Sequence, residues 1–178
     1  MTVRQPIIDS GVLRLRDFAA SDVPLVQSAS QTSIPDSTTV PRTAGVPEAL
    51  AYIERQLDRL PSGTGYACAM ARTIDDVAVG YIGLQLRDVD SGRASLGYWV
   101  GPHQRGDGYA ALALRALSDW SDATLAIARL ELYVEPSNIA SCRTAEAAGF
   151  EREGLLRSWR VVGDSRRDMW MYSRIRDA

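Results

Sequence analysis

The 178-residue chain contains no lysine; its 20 basic residues are all arginine. Schiff-base chemistry and a lysine general base are therefore excluded. There is one histidine, His103, and there are two cysteines, Cys68 and Cys142, far apart and outside any paired-cysteine motif. A structural zinc site takes about four such ligands at short spacings, so no metal site is expected. Cys68, in Tyr66-Ala-Cys-Ala-Met-Ala71, reads as a small buried apolar residue. No apolar run approaches the roughly 20 residues a spanning helix needs. The start, Met1-Thr-Val-Arg, shows no apolar core or small-residue cleavage pattern of an export signal, so a cytoplasmic protein without membrane contact is expected. An excess of one charge is also missing. Twenty basic residues against 22 acidic ones give a net charge of −2 and no basic stripe, which argues against nucleic acid as a partner.

What is present is the make-up of a soluble globular protein, 46% hydrophobic and 24% charged, at a length that suits one domain over residues 1–178. Val12 to Asp17 alternates as a half-exposed strand, and Ser21-Asp22 before Val23-Pro24 starts a short helix. Ser28 to Pro47 is rich in Ser, Thr and Pro and reads as a loop, either a cover for a substrate site or a plain surface connection. Pro47-Glu48 opens a helix whose Leu50, Ile53, Leu57 and Leu60 are expected to face the core. Three strands follow, Tyr66 to Arg72, Val79 to Arg87 and Ala94 to Val100, as an antiparallel meander. A helix from about Tyr109, a strand around Leu130 to Val134, a helix from Ile139 and a closing strand pair around Val162-Gly163-Asp164 complete the chain. The pattern predicts a mixed α/β sheet flanked by helices.

Between the third strand of the meander and the next helix stands Gln104-Arg-Gly-Asp-Gly-Tyr-Ala110. Two glycines where a strand hands over to a helix let backbone amides turn toward an anion that the helix N-terminus also favours. Phosphate is the usual occupant of such a cradle.

Arg105-Gly-Asp-Gly-Tyr-Ala110 resembles the pyrophosphate motif of the GNAT superfamily of acetyl-CoA-dependent N-acetyltransferases. It follows Leu96-Gly-Tyr-Trp-Val-Gly-Pro102 and precedes Asn138-Ile-Ala-Ser141, Ala148-Gly-Phe150 and Glu153-Gly-Leu-Leu-Arg157, an order similar to that of the ribosomal-protein-alanine N-acetyltransferase branch. The resemblance is dense from about Val79 onward. It implies a central, mostly antiparallel sheet with a splayed strand pair, Ala94–Val100 and Arg129–Glu135, flanked by about four helices. By the same resemblance, Arg105, Gly106, Asp107, Gly108, Tyr109 and Ala110 hold the pyrophosphate of acetyl-CoA, and Trp99 and Val100 supply main-chain contacts to the thioester and pantetheine. Asn138 bonds the cofactor arm, caps a helix, or does both. Ser141 lies near the sulfur. Asp107 departs from the usual basic or neutral residue, and an acid there repels a pyrophosphate unless it points away.

Acetylating an amine needs a neutral amine, stabilisation of the carbonyl oxyanion and a proton for the leaving thiolate. Ser141 is the candidate acid, directly or through a water, with simple packing as the alternative. Ser95 stands just before Leu96-Gly-Tyr98, where relatives commonly carry glutamate, so the base must be sought elsewhere. Glu135, Asp88, Asp90, Asp36, His103 and a water chain all remain open. An acyl-enzyme on Cys142 is disfavoured because a helix-borne cysteine without a histidine partner is usually inert. The expected acceptor is a primary amine on a protein N-terminus, which needs an open groove, or on a small molecule, which suits a pocket walled by the Ser28–Pro47 loop and tryptophans such as Trp159 or Trp170. The alternative is a CoA-binding module without catalysis. The oligomeric state stays open, a homodimer included.

Overall fold

The computed structural model describes residues 5–125 and 127–176. Its strands are β1 (Ile8–Asp9), β2 (Leu13–Arg16), β3 (Gly65–Arg72), β4 (Ala78–Gln85), β5 (Arg93–Val100), β6 (Arg129–Val134), β7 (Glu151–Val162) and β8 (Ser165–Ile175). They form one sheet in the order β1-β2-β3-β4-β5-β6-β8-β7. Neighbours are antiparallel except β5 and β6, which run parallel because a helical crossover joins them. The helices are α1 (Val23–Ser30), α2 (Ile34–Ser37), α3 (Val46–Leu57), α4 (Tyr109–Thr124) and α5 (Ile139–Ala147). The first three cover one face of the sheet, and α4 and α5 cover the other.

The period-two pattern of the strands sorts their side chains between two cores. On the α4–α5 face lie Leu13, Leu15, Met70, Ile82, Leu84, Ala94, Leu96, Leu130 and Leu132, with Leu114 and Leu117 of α4 packed onto them. Each fully buried leucine there contributes about 1.5–3 kcal/mol relative to exposure. The α1–α3 face is aromatic: Phe18, Tyr52, Tyr81 and Trp99 gather around Val26, Ala29 and Ile53. Tyr81 and Trp99, opposite each other in the β4–β5 register, stack at 6.2 Å and 19°. Gly83 is required beside them, because a Cβ there would run into the Tyr81 hydroxyl. At the entry to α1, Arg16 forks onto the buried Asp22 at 2.8 and 3.0 Å and joins strand to helix.

Two expectations change. The stretch read as a loop contains α2, which begins at Ile34 with proline in its first turn. In α3 the buried residues are Ala49, Tyr52, Ile53 and Gln56, while Leu57 is 36% exposed. The leucine spacing pointed about one residue off, because the aromatic core attracts Tyr52 more strongly than it does Leu57.

Candidate functional site

The register of the parallel pair makes the site. β5 and β6 are joined only at Arg93↔Arg129, Ala94↔Leu130 and Ser95↔Glu131. Beyond that point β5 bonds only to β4 and β6 only to β8, so a gap opens between them toward the carboxyl ends of both strands. Backbone groups along such a gap lack ladder partners and can bind an inserted group. A cavity of about 880 Å³ runs through the gap, lined among others by Ser95, Gly97, Trp99, Tyr133, Glu135 and Ser141.

The cradle stands at the β5 side of the gap mouth. Gly106 and Gly108 have φ of 101° and 75°, and a Cβ on either would meet nothing within 4 Å. Backbone angle, not crowding, therefore selects glycine there. Gly108 is the N-cap of α4 and supplies no side-chain hydrogen bond, so the first-turn amides of this 16-residue helix have no side-chain partner. Arg105 donates weakly from Nε to the Val100 carbonyl at 3.4 Å, which folds the cradle back onto the end of β5. Asp107 is exposed. An uncapped N-terminus with two left-handed glycines beside an open strand gap fits a pyrophosphate followed by an extended arm.

On the other bank, Asn138 caps α5: its Oδ1 accepts from the Ser141 backbone N–H at 3.1 Å. The cap uses Ser141's amide rather than its hydroxyl, and both residues line the cavity. Tyr98 reaches across the gap to the Ser141 carbonyl at 3.4 Å. Trp99 is buried, and its Nε1 donates to the Tyr52 hydroxyl at 3.3 Å. Its side chain thus belongs to the aromatic wall, leaving only its main chain for a ligand in the gap.

Of the groups considered as a base, Glu135 and Asp36 line the cavity, whereas Asp88, Asp90 and His103 do not. Asp36 is held by Arg42 at 2.6 Å, and Glu135 accepts from Ser137 at 3.0 Å with Arg167 4.0 Å away. Trp159 and Trp170 stand outside the cavity lining; Trp159 stacks on Tyr133 at 5.6 Å, and Trp170 lies under Arg152 at 4.6 Å. Cys142 packs against the α4–α5 core. Burial pushes the Cys68 thiol up to about 12, so it is an inert core residue.

Glu131 is the acid that sequence reasoning passed over. It is only 3% exposed, in register with Ser95 at the point where the strands part. Arg129 Nε donates to its Oε1 at 2.7 Å and the Tyr133 hydroxyl to its Oε2 at 2.7 Å. Burial works to raise its pKa, but the hydrogen bonds from Tyr133 and Arg129 outweigh it and leave the carboxyl below its ordinary value. Burial and this same bond push the Tyr133 phenol up to about 12. A glutamate and a tyrosine two apart on one strand face were the available signal, and alternation with Leu130, Leu132 and Val134 does not by itself tell a buried face from an exposed one.

A mixed sheet with one parted strand pair, an uncapped glycine turn at its mouth and a cavity through the gap is the architecture of an acyl-CoA-dependent acyltransferase fold. The acetyltransferase (GNAT) domain model matches residues 13–151, and the chain belongs to that family. It is 34% identical over 98 residues to the uncharacterized N-acetyltransferase p20 of Bacillus licheniformis, a match covering 55% of each chain. The chain thus spans about half the length of the curated relatives it matches. Its fold is similar to that of RimL, the ribosomal L7/L12 alpha-N-protein acetyltransferase in complex with coenzyme A, with a TM-score of 0.84 at 22% identity over 97% of this chain and 99% of that one. Mycobacterium smegmatis RimJ in complex with CoA-disulfide is similar at a TM-score of 0.80 and 21% identity, over 97% and 86% of the two chains. Among the described residues no helix is long and apolar enough to cross a membrane, and no group of three or more His, Cys, Asp or Glu could hold a metal ion.

Proposed function

We propose that the chain is a single-domain, acetyl-CoA-dependent N-acetyltransferase over residues 1–178, transferring acetyl to a primary amine by direct attack in a ternary complex. The observation that carries this reading is the gap between β5 and β6, which has an anion cradle at one mouth and a cavity that runs through it to the aromatic face. Two ligands entering from these two sides meet where the strands part, the geometry that direct transfer requires.

The residues take complementary parts. Arg105, Gly106, Asp107, Gly108, Tyr109 and Ala110 hold the pyrophosphate through backbone amides at the start of α4, with the Asp107 carboxylate turned to solvent. Main-chain groups of Trp99 and Val100 bind the pantetheine arm and offer an amide to the thioester oxygen as charge builds on it. Asn138 caps α5 with its oxygen and keeps its amide NH₂ for the arm. Ser141 gives its hydroxyl proton to the departing thiolate. Glu135, the cavity-lining carboxylate whose paired arginine stands 4.0 Å away, takes the amine proton directly or through a water. Tyr133, its proton committed to Glu131, presents only acceptor lone pairs to other groups, which suits an amine N–H.

Thiol release from acetyl-CoA, measured over a panel of primary amines and N-terminal peptides, tests the reading. Turnover is expected with at least one class, and Ser141→Ala should lower kcat about 100-fold at saturating acetyl-CoA, the lower end of the scale of lost general-acid help. Tight acetyl-CoA binding without turnover on any amine would make the chain a CoA-binding module instead. A Ser141→Ala kcat equal to wild type would remove that residue from the chemistry.

A further inference from the structure

We infer that the acceptor amine belongs to a molecule that also carries a carboxylate, and that Arg59 receives it; this rests on the N-acetyltransferase reading above. Arg59 follows α3 and lines the cavity together with Tyr52, Tyr81, Gln85 and Ser95. Its guanidinium stands 6.0 Å from the centre of the Tyr81 ring, which is itself stacked on Trp99. Because Tyr81 and Trp99 are register partners on β4 and β5, this places the cation on the acceptor face beside the strand that borders the gap.

Arg59 differs from the chain's ion-paired arginines. Arg14, Arg16, Arg42, Arg72, Arg93, Arg129, Arg167 and Arg174 each have a carboxylate within 4.0 Å, whereas Arg59 has none among the described residues. A guanidinium carries five donors in a planar fork that matches a carboxylate, and contact with a ring face uses none of them. Arg55, one turn earlier, stands 5.8 Å from the Tyr52 ring and has only a weak bond at 3.4 Å to the Thr39 carbonyl. Of these two arginines, Arg59 alone lines the cavity, and its guanidinium donors have no carboxylate partner among the described residues.

The opposite side carries both signs: Glu135 at the end of β6 and Asp164 in the turn between β7 and β8 line the same cavity, together with Arg160 and with Arg167, which stands 4.0 Å from Glu135. Asp36, the third lining acid, is already neutralised by Arg42 at 2.6 Å. A ligand whose amine reaches Glu135 and whose carboxylate reaches Arg59 fits this lining. A polyamine, cationic at both ends, would set one charge against Arg59.

The test compares matched acceptors that differ by one carboxylate. The small-molecule arm sets alanine against alaninamide, and the peptide arm sets C-terminally amidated Ala-Asp-Gly against Ala-Asn-Gly. In at least one arm the carboxylate form should show kcat/KM at least tenfold higher, and which arm responds tells a free amino acid from an acidic N-terminus. Arg59→Gln should erase that preference while the acetyl-CoA Kd stays within twofold, and Arg59→Lys should restore part of it. Equal use of both forms in both arms, a preference that survives Arg59→Gln, or better turnover of spermidine would overturn the assignment. Binding of the same probes to the CoA-loaded protein, read by calorimetry, separates the two levels. Arg59-dependent binding of the carboxylate form without thiol release supports the carboxylate site and refutes catalysis. Thiol release without carboxylate preference refutes only the site, and no binding of any probe refutes it as well.

Discussion

The two ends of the β5–β6 pair are built on opposite principles. At the closed end three register pairs are reinforced by side chains: Arg129 bonds Glu131 at 2.7 Å and Glu153 at 2.9 Å, and Ser173 also donates to Glu153. At the open end no ladder exists, and two helices point their N-termini at the space instead. Even these differ, since α5 is capped by Asn138 while α4 begins on Gly108 with no side chain to satisfy it. Polar groups at the closed end are spent on one another, which fixes where the strands part. Those at the start of α4 have no side-chain partner and stay available to a ligand. A binding site of this kind consists of hydrogen-bond donors that the fold declines to satisfy.

Three changes press on this contrast. Gly108→Trp attacks the start of α4 directly, by forcing a non-glycine residue into φ of 75° and filling the place of the pyrophosphate. Acetyl-CoA affinity should fall more than 100-fold in calorimetry, a loss of roughly 3 kcal/mol. Unchanged affinity would move the pyrophosphate away from the cradle. Asn138→Ala makes α5 as bare as α4. Loss of the cap should cost about 1 kcal/mol in urea denaturation, with a smaller loss of acetyl-CoA affinity than Gly108→Trp causes.

The smallest effect belongs to the closed end. Hydrogen bonds from Arg129 and Ser173 hold the Glu153 carboxyl at about 2, against 4.5 for the free group. A carboxyl whose folded pKa is depressed adds stability above its unfolded pKa and loses it as pH falls through the folded value. The contribution is therefore complete above about pH 4.5 and is lost toward pH 2. Because the Glu153 side chain is 41% exposed, solvent screening keeps it at about 1 kcal/mol or less. Glu153→Gln should destabilise the protein at pH 7 and converge with wild type as pH falls through about 2, as followed by urea melts. A gap that persists at low pH would assign the effect to packing instead.

Much of this could be read from residue order because it is local. Gly106 and Gly108 before an alanine- and leucine-rich run announce an uncapped helix, Asn138 announces a capped one, and the alternation of Leu130, Leu132 and Val134 announces a strand. The leucine spacing of α3 misled because neighbours in space, not period alone, choose which face is buried. Glu131 and Arg59 were passed over for the same reason. One looks like the outward residue of an alternating strand, the other like a solvated arginine at a helix end.

The sequence by itself determined the cradle, the elements around it and the residues able to bind an anion, since φ preference, capping and hydrophobic period act within a few residues. Only the tertiary structure decided how many register pairs join β5 to β6, and so where the gap opens. It alone set Glu131 opposite Ser95 where the strands part, and Arg59 beside Tyr81 with no carboxylate partner among the described residues. Those outcomes depend on strands and helices distant in sequence meeting in one register, which no local preference encodes.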